Sequence, residues 1–141
     1  MHLYLIMKVV CVSGYFSPIH CGHLEYLEKA KTLGDKLYVI VNNDEQAILK
    51  SGKSFMPAAE RVKILRAIHC VDAAIIATDK DRTVCETLRL IHPDLFANGG
   101  DQNNEIIPER AVCDELGIEL VDGLGDKIQS SSWLIAKAKA N

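Results

Sequence analysis

The 141-residue sequence has no C-x-x-C pair, no excess of basic residues, no internal repeat and no low-complexity tract or linker. Each absence excludes something. The 5 cysteines (Cys11, Cys21, Cys70, Cys85 and Cys113) are odd in number and widely spread, which argues against a disulfide framework and a structural zinc site. They read as small apolar residues of a reduced, cytoplasmic protein. Lys and Arg number 16 against 19 Asp and Glu, for a net charge of −3 and a pI near 5.9. Nothing global therefore invites nucleic acid or a membrane surface, and any phosphate must be held locally. The apolar start lacks a basic segment ahead of it and a small-residue cleavage site behind it, so it is not expected to be a signal peptide. Nothing else approaches the ~20 apolar residues of a membrane span.

Hydrophobic residues make up 48% and charged residues 25% of the chain, the balance of one soluble globular domain. Five short β-branched runs, residues 7–13, 36–41, 73–77, 94–97 and 118–121, are apolar on both faces, as buried parallel strands are. Between them lie stretches with helical spacing. In 22–33, Leu24, Leu27, Ala30 and Leu33 recur every third residue, and in 57–68 Val62, Leu65 and Ile68 do the same behind Pro57. Helices are also predicted over 83–91, 107–116 (opened by Pro108 and closed by Gly117) and 130–139. This alternation predicts one Rossmann-like, doubly wound α/β domain with a five-stranded parallel sheet. In such a sheet ligands bind beyond the carboxyl ends of the strands, so the strand-to-helix loops are where chemistry is expected.

The first of these loops reads Ser13-Gly14-Tyr15-Phe16-Ser17-Pro18-Ile19-His20-Cys21-Gly22-His23. Gly14 lets the chain leave the strand sharply. His20 and His23, three apart at a helix start, project from one face. Gly22 between them lets a bulky ligand approach the backbone, and the amides of the helix N-terminus favour an anion. Plain surface histidines, or metal ligation by His20, Cys21 and His23, are the competing readings. The whole G-x-F-x-P-x-H-x-G-H string is more specific than either and points to a phosphate site with two imidazole donors and no nucleophile. Lys50-Ser51-Gly52-Lys53 ahead of Glu60-Arg61, the Asn98-Gly99-Gly100-Asp101 turn, and Ser130-Ser131-Ser132 ahead of Trp133 are further candidates. By composition alone these are a solvated turn, a plain turn and a helix cap.

The histidine string resembles the signature of the cytidylyltransferase-like nucleotidyltransferases, and the likeness runs from Met7 over nearly the whole chain. Residues 22–35 look most like the glycerol-phosphate and heptose branches of that family. Relatives typically begin where Met7 stands, so residues 1–6 are expected to be an extension and 7–141 the nucleotidyltransferase domain. The resemblance implies transfer of a nucleoside monophosphate from CTP or ATP to a phosphorylated small molecule, a sugar phosphate by preference, with release of pyrophosphate. A glycerol-phosphate or other polyol-phosphate cytidylyltransferase, and a nucleotide-binding sensor without turnover, are the alternatives.

It also implies roles. His20, His23, Lys50, Lys53 and Arg61 would act on the phosphates. Gly14, Tyr15, Phe16, Gly22, Gly99, Asp101, Ser130, Ser131 and Ser132 would line the nucleotide site. Mg²⁺ would accompany the triphosphate, and the protein would be a homodimer, with the Tyr15/Phe16 region near the partner. Two departures stand out. Ser17 occupies a position where many relatives carry Asp or Asn, and the stretch Leu124-Gly125-Asp126-Lys127 lacks the arginine that glycerol-phosphate enzymes place ahead of the serines.

Overall fold

A computed structural model describes residues 7–99 and 107–124. Five strands form one parallel sheet: β1 (Val9–Gly14), β2 (Lys36–Val41), β3 (Ala73–Ile76), β4 (Leu95–Gly99) and β5 (Glu119–Leu124), in the order β3-β2-β1-β4-β5. The strands predicted from β-branched runs are all present, with ends shifted by up to three residues. Between them lie α1 (Cys21–Lys31), α2 (Asp44–Ser51), α3 (Ala58–Arg66), α4 (Cys85–Ile91) and α5 (Glu109–Leu116). Residues 130–139, predicted to be helical, lie outside the described residues.

The sheet is buried on both faces, which is why its strands are apolar without alternation. In β1, Val10 and Val12 point into one core with Leu27 and Ala30 of α1 and Val62 and Leu65 of α3. Cys11, between them, points the other way, into a second core with Leu88 of α4 and Val112 and Cys113 of α5. Burial raises the thiol pKa of Cys11 above its ordinary value, and that of Cys113 to about 11. Buried thiols of this kind behave as small hydrophobes, as the composition suggested.

Three aspartates fix the amino edge of the sheet. Asp35 and Asp94 accept the amides of Lys8 and Val9, and Asp72 accepts that of Leu37, each at 2.8 Å. The chain fills the β2 and β3 side of β1 first and then crosses to β4 on the other side. The carboxyl ends of β1 and β4 are therefore the switch point at which such sheets bind ligands.

Helix α2 was not predicted from apolar spacing. Its apolar residues Ala47, Ile48 and Leu49 are consecutive, and Ile48 and Leu49 are exposed, so it carries no stripe. It exists because its ends are well specified. Asn43 and Gln46 form a reciprocal capping box, Asp44 and Glu45 sit in its first turn, and Gly52 closes it with a left-handed φ of 82°.

Candidate active site

The loop after β1 begins with a close approach. A Cβ on Gly14 would lie 3.0 Å from the Phe16 ring, so any larger residue here would press on that ring. Phe16 itself takes a φ of 53° and is 2% exposed. Its ring belongs to the core beneath the loop and meets His23, with ring centroids 4.9 Å apart. The Phe16 ring is thus a floor for the histidines, held in the core beneath them.

His20 is the N-cap of α1, in an extended conformation (φ −146°, ψ 177°). Its Nδ1 accepts the amide of Gly22 at 3.1 Å, and Nδ1 of His23 accepts the amide of His20 at 3.1 Å. This is a capping box built from two imidazoles, with the rings stacked at 3.8 Å. A ring nitrogen that accepts from an amide carries no proton, so in each neutral imidazole the proton is on Nε2. The backbone therefore fixes two Nε2–H donors side by side at the start of a helix, beyond the central strand. The expectation that His20 and His23 share one face holds, and Gly22 lies between them as predicted.

Tyr15 joins this loop to α2. The Lys50 ammonium, in the last turn of α2, sits 4.2 Å from the centre of the Tyr15 ring. The sequence placed Lys50 in a loop; the structure puts it on a helix capped at both ends. Lys53 lies exposed, two residues beyond that helix. Two hydroxyls of the first loop, Tyr15 Oη and Ser17 Oγ, are buried with no hydrogen-bond partner among the described residues. An unmet buried hydroxyl costs on the order of 1–3 kcal/mol, so each marks a point where a ligand would be welcome.

Arg61 departs from expectation. Its side chain is 1% exposed, and four of its five N–H donors are engaged within the chain. Nε donates to Met56 O at 2.8 Å, Nη1 to Tyr15 O and Asn42 O at 2.8 and 2.7 Å, and Nη2 to Asp44 Oδ1 at 3.2 Å. Burial lowers the guanidinium pKa from its ordinary value, and Asp44 opposes that shift. The Ser54 hydroxyl holds the Asp44 carboxyl below its ordinary value, helped by the Ala58 amide and Arg61 against partial desolvation. The expected phosphate ligand is thus a buried cation with three backbone carbonyls and one carboxylate as partners.

Gly99 ends β4, half-buried and paired with Leu124 across an irregularity that begins at Ala97. Asp101, Ser130, Ser131 and Ser132 lie outside the described residues. The polar network behind α2 (Asn42, Asn43, Asp44 and Gln46) escaped the sequence reading. The string Asn-Asn-Asp-x-Gln, with its capping spacing, was the available signal.

Among the described residues, no three His, Cys, Asp or Glu side chains gather as a metal would need. No helix among them is long and apolar enough to cross a membrane.

The family model described as cytidylyltransferase-like matches residues 11–132, from the middle of β1 past the end of β5. The chain belongs to the cytidylyltransferase-like family. Family members similar to it include the bifunctional protein HldE of Streptomyces coelicolor, 37% identical over 139 residues, which covers 92% of this chain and 28% of that protein. The FAD synthase of Pyrococcus abyssi is 39% identical over 95 residues, covering 67% of this chain and 64% of that one. This chain spans about a quarter of the length of the HldE proteins it matches. In three dimensions it resembles the lipopolysaccharide core biosynthesis protein from Thermoplasma volcanium, with a TM-score of 0.73 at 25% identity over 85% of this chain and 98% of that one. The parallel α/β fold is thus shared with that solved structure.

Proposed function

We propose that this chain is a nucleotidyltransferase that moves a nucleoside monophosphate from a nucleoside triphosphate onto a phosphorylated small molecule. The observation that carries the reading is the paired imidazoles, whose Nδ1 atoms are tied to backbone amides so that both Nε2–H groups are donors. A phosphate oxygen of the acceptor attacks the α-phosphorus in line, the bond to the β-phosphate oxygen breaks, and pyrophosphate leaves. The acceptor brings its own nucleophile, so the protein needs none. Its task is to orient two anions and to stabilise the charge that grows on the transferring group. Donors fixed by the fold do this without reorganising.

Lys50, held over Tyr15, and Lys53 add positive charge for the outer phosphates. Mg²⁺ enters as part of the substrate, bound to the triphosphate oxygens. Asp101 and Ser130–Ser132 are proposed to complete the nucleotide site. The acceptor is proposed to be a sugar phosphate, on the likeness of residues 22–35 to the heptose and glycerol-phosphate branches. Relatives named HldE and FAD synthase make both the base and the acceptor matters for assay.

The test is pyrophosphate release from Mg-CTP or Mg-ATP with a panel of phosphorylated sugars and polyols. Release with one pair supports the reading and names the substrates. Nucleotide binding without release from any pair would leave the chain a nucleotide sensor instead.

A further inference from the structure

The four acceptors of Arg61 belong to four different segments. Tyr15 lies in the loop after β1, Asn42 directly after β2, Asp44 at the first position of α2, and Met56 before α3. Two of these segments make the Lys50–Tyr15 contact. Tyr15 is one partner, and α2, which begins at Asp44, carries the other in its last turn. We propose that Arg61 is a positioning residue: with Asp44 it holds the Tyr15 loop and helix α2 in register, and so places Lys50 at the site, while binding no phosphate itself.

The chemistry of the side chain suits this role. The guanidinium is a flat, rigid fork that can serve several acceptors at once, whereas a lysine ammonium is a point charge with three donors on a flexible stem. A buried cation needs a fixed counter-charge, and Asp44 Oδ1 provides it. That oxygen also accepts from Ser54 Oγ at 2.7 Å and from the Ala58 amide at 2.9 Å, so it is anchored to the start of α3. For Arg61 to reach a phosphate it would have to abandon buried carbonyls, each then left without its donor.

The inference rests on the nucleotidyltransferase reading only for what Lys50 acts upon, and its first test needs no substrate. Amide exchange is followed by mass spectrometry on the ligand-free chain and on its Arg61→Lys and Asp44→Asn variants. Faster exchange in both the 14–17 segment and α2, with cooperative melting retained, is the expected result. Change confined to α2, or none, overturns the proposal. If Arg61→Lys does not fold, Asp44→Asn decides, since it keeps the arginine and alters a side chain that is 49% exposed.

The second test is a double-mutant cycle with Lys50→Ala, read on kcat/KM for pyrophosphate release and on the Kd of the Mg-triphosphate. Asp44→Asn should weaken these roughly tenfold in the wild-type background and less than about threefold once Lys50 is gone. Equal effects in both backgrounds would contradict action through Lys50. A chain that releases no pyrophosphate but shows the coupled exchange loses the proposed function and keeps the positioning role.

Discussion

His20 and His23 each serve the fold and the chemistry with different atoms of one ring. Nδ1 caps the helix and, by doing so, leaves the proton on Nε2. Ser, Thr, Asp or Asn would cap α1 as well, but none of them would present a second donor on the far side of the same ring. Tyr15 shows the opposite economy: its hydroxyl is buried with no hydrogen-bond partner among the described residues. Tyr15→Phe should therefore leave the ligand-free melting temperature unchanged or slightly higher, and should raise the Kd of whichever substrate the hydroxyl meets. A loss of more than ~1 kcal/mol in the ligand-free variant would mean that the hydroxyl is already satisfied. Asp44 adds a pH dependence. Its folded pKa lies below the ordinary 3.8, so its contribution is complete above that value and is lost as pH falls through the lower, folded one. The stability gap between wild type and Asp44→Asn should be open at pH 7 and narrow below about 3.8, as thermal melts at stepped pH would show. A gap constant with pH would contradict the assignment.

Elements differ in how plainly the sequence marks them. The strands were legible because a buried parallel strand is a short run of β-branched residues, as in Val9-Val10-Cys11-Val12. Helix α2 was hidden from periodicity because tertiary polar contacts, and not an apolar stripe, hold it down. Gln46 is fully buried. Its Oε1 accepts from Asn42 Nδ2 and the Asn43 amide at 3.1 and 2.9 Å, and its Nε2 donates to Asp81 O and Thr83 O at 2.7 and 2.8 Å. One carboxamide thus bolts the start of α2 to the loop between β3 and α4. Gln46→Leu should lower unfolding stability by at least ~2 kcal/mol in chemical denaturation, because the stranded carbonyls keep their desolvation cost. A loss under ~0.5 kcal/mol, the range of a surface change, would show that the network is dispensable.

At the scale of the whole molecule, strand-helix alternation identified the fold, and the rule that open parallel sheets bind at their carboxyl edge pointed to the loop that carries the paired imidazoles. His20, Gly22 and His23 emerged together, and Tyr15 came to lie against Lys50. The internal engagement of Arg61 was not legible, for a physical reason. A sequence shows a charge but not the direction it faces, and three of its four acceptors are backbone carbonyls, which no side-chain pattern marks. The burial of the Phe16 ring was not legible either, since an aromatic in a glycine-containing loop serves equally as a ligand platform or as a floor. In the proposed reaction the two imidazoles act on charge that develops as the nucleotidyl group is transferred. The direct measurement is kcat and nucleotide Kd for His20→Ala and His23→Ala, with His20→Asn as the variant that keeps a capping oxygen. The prediction is a loss of at least ~100-fold in kcat for all three, with Kd changed by less than about tenfold, and with His20→Asn folding as well as wild type. Turnover intact at saturating nucleotide, with the loss confined to Kd, would contradict it.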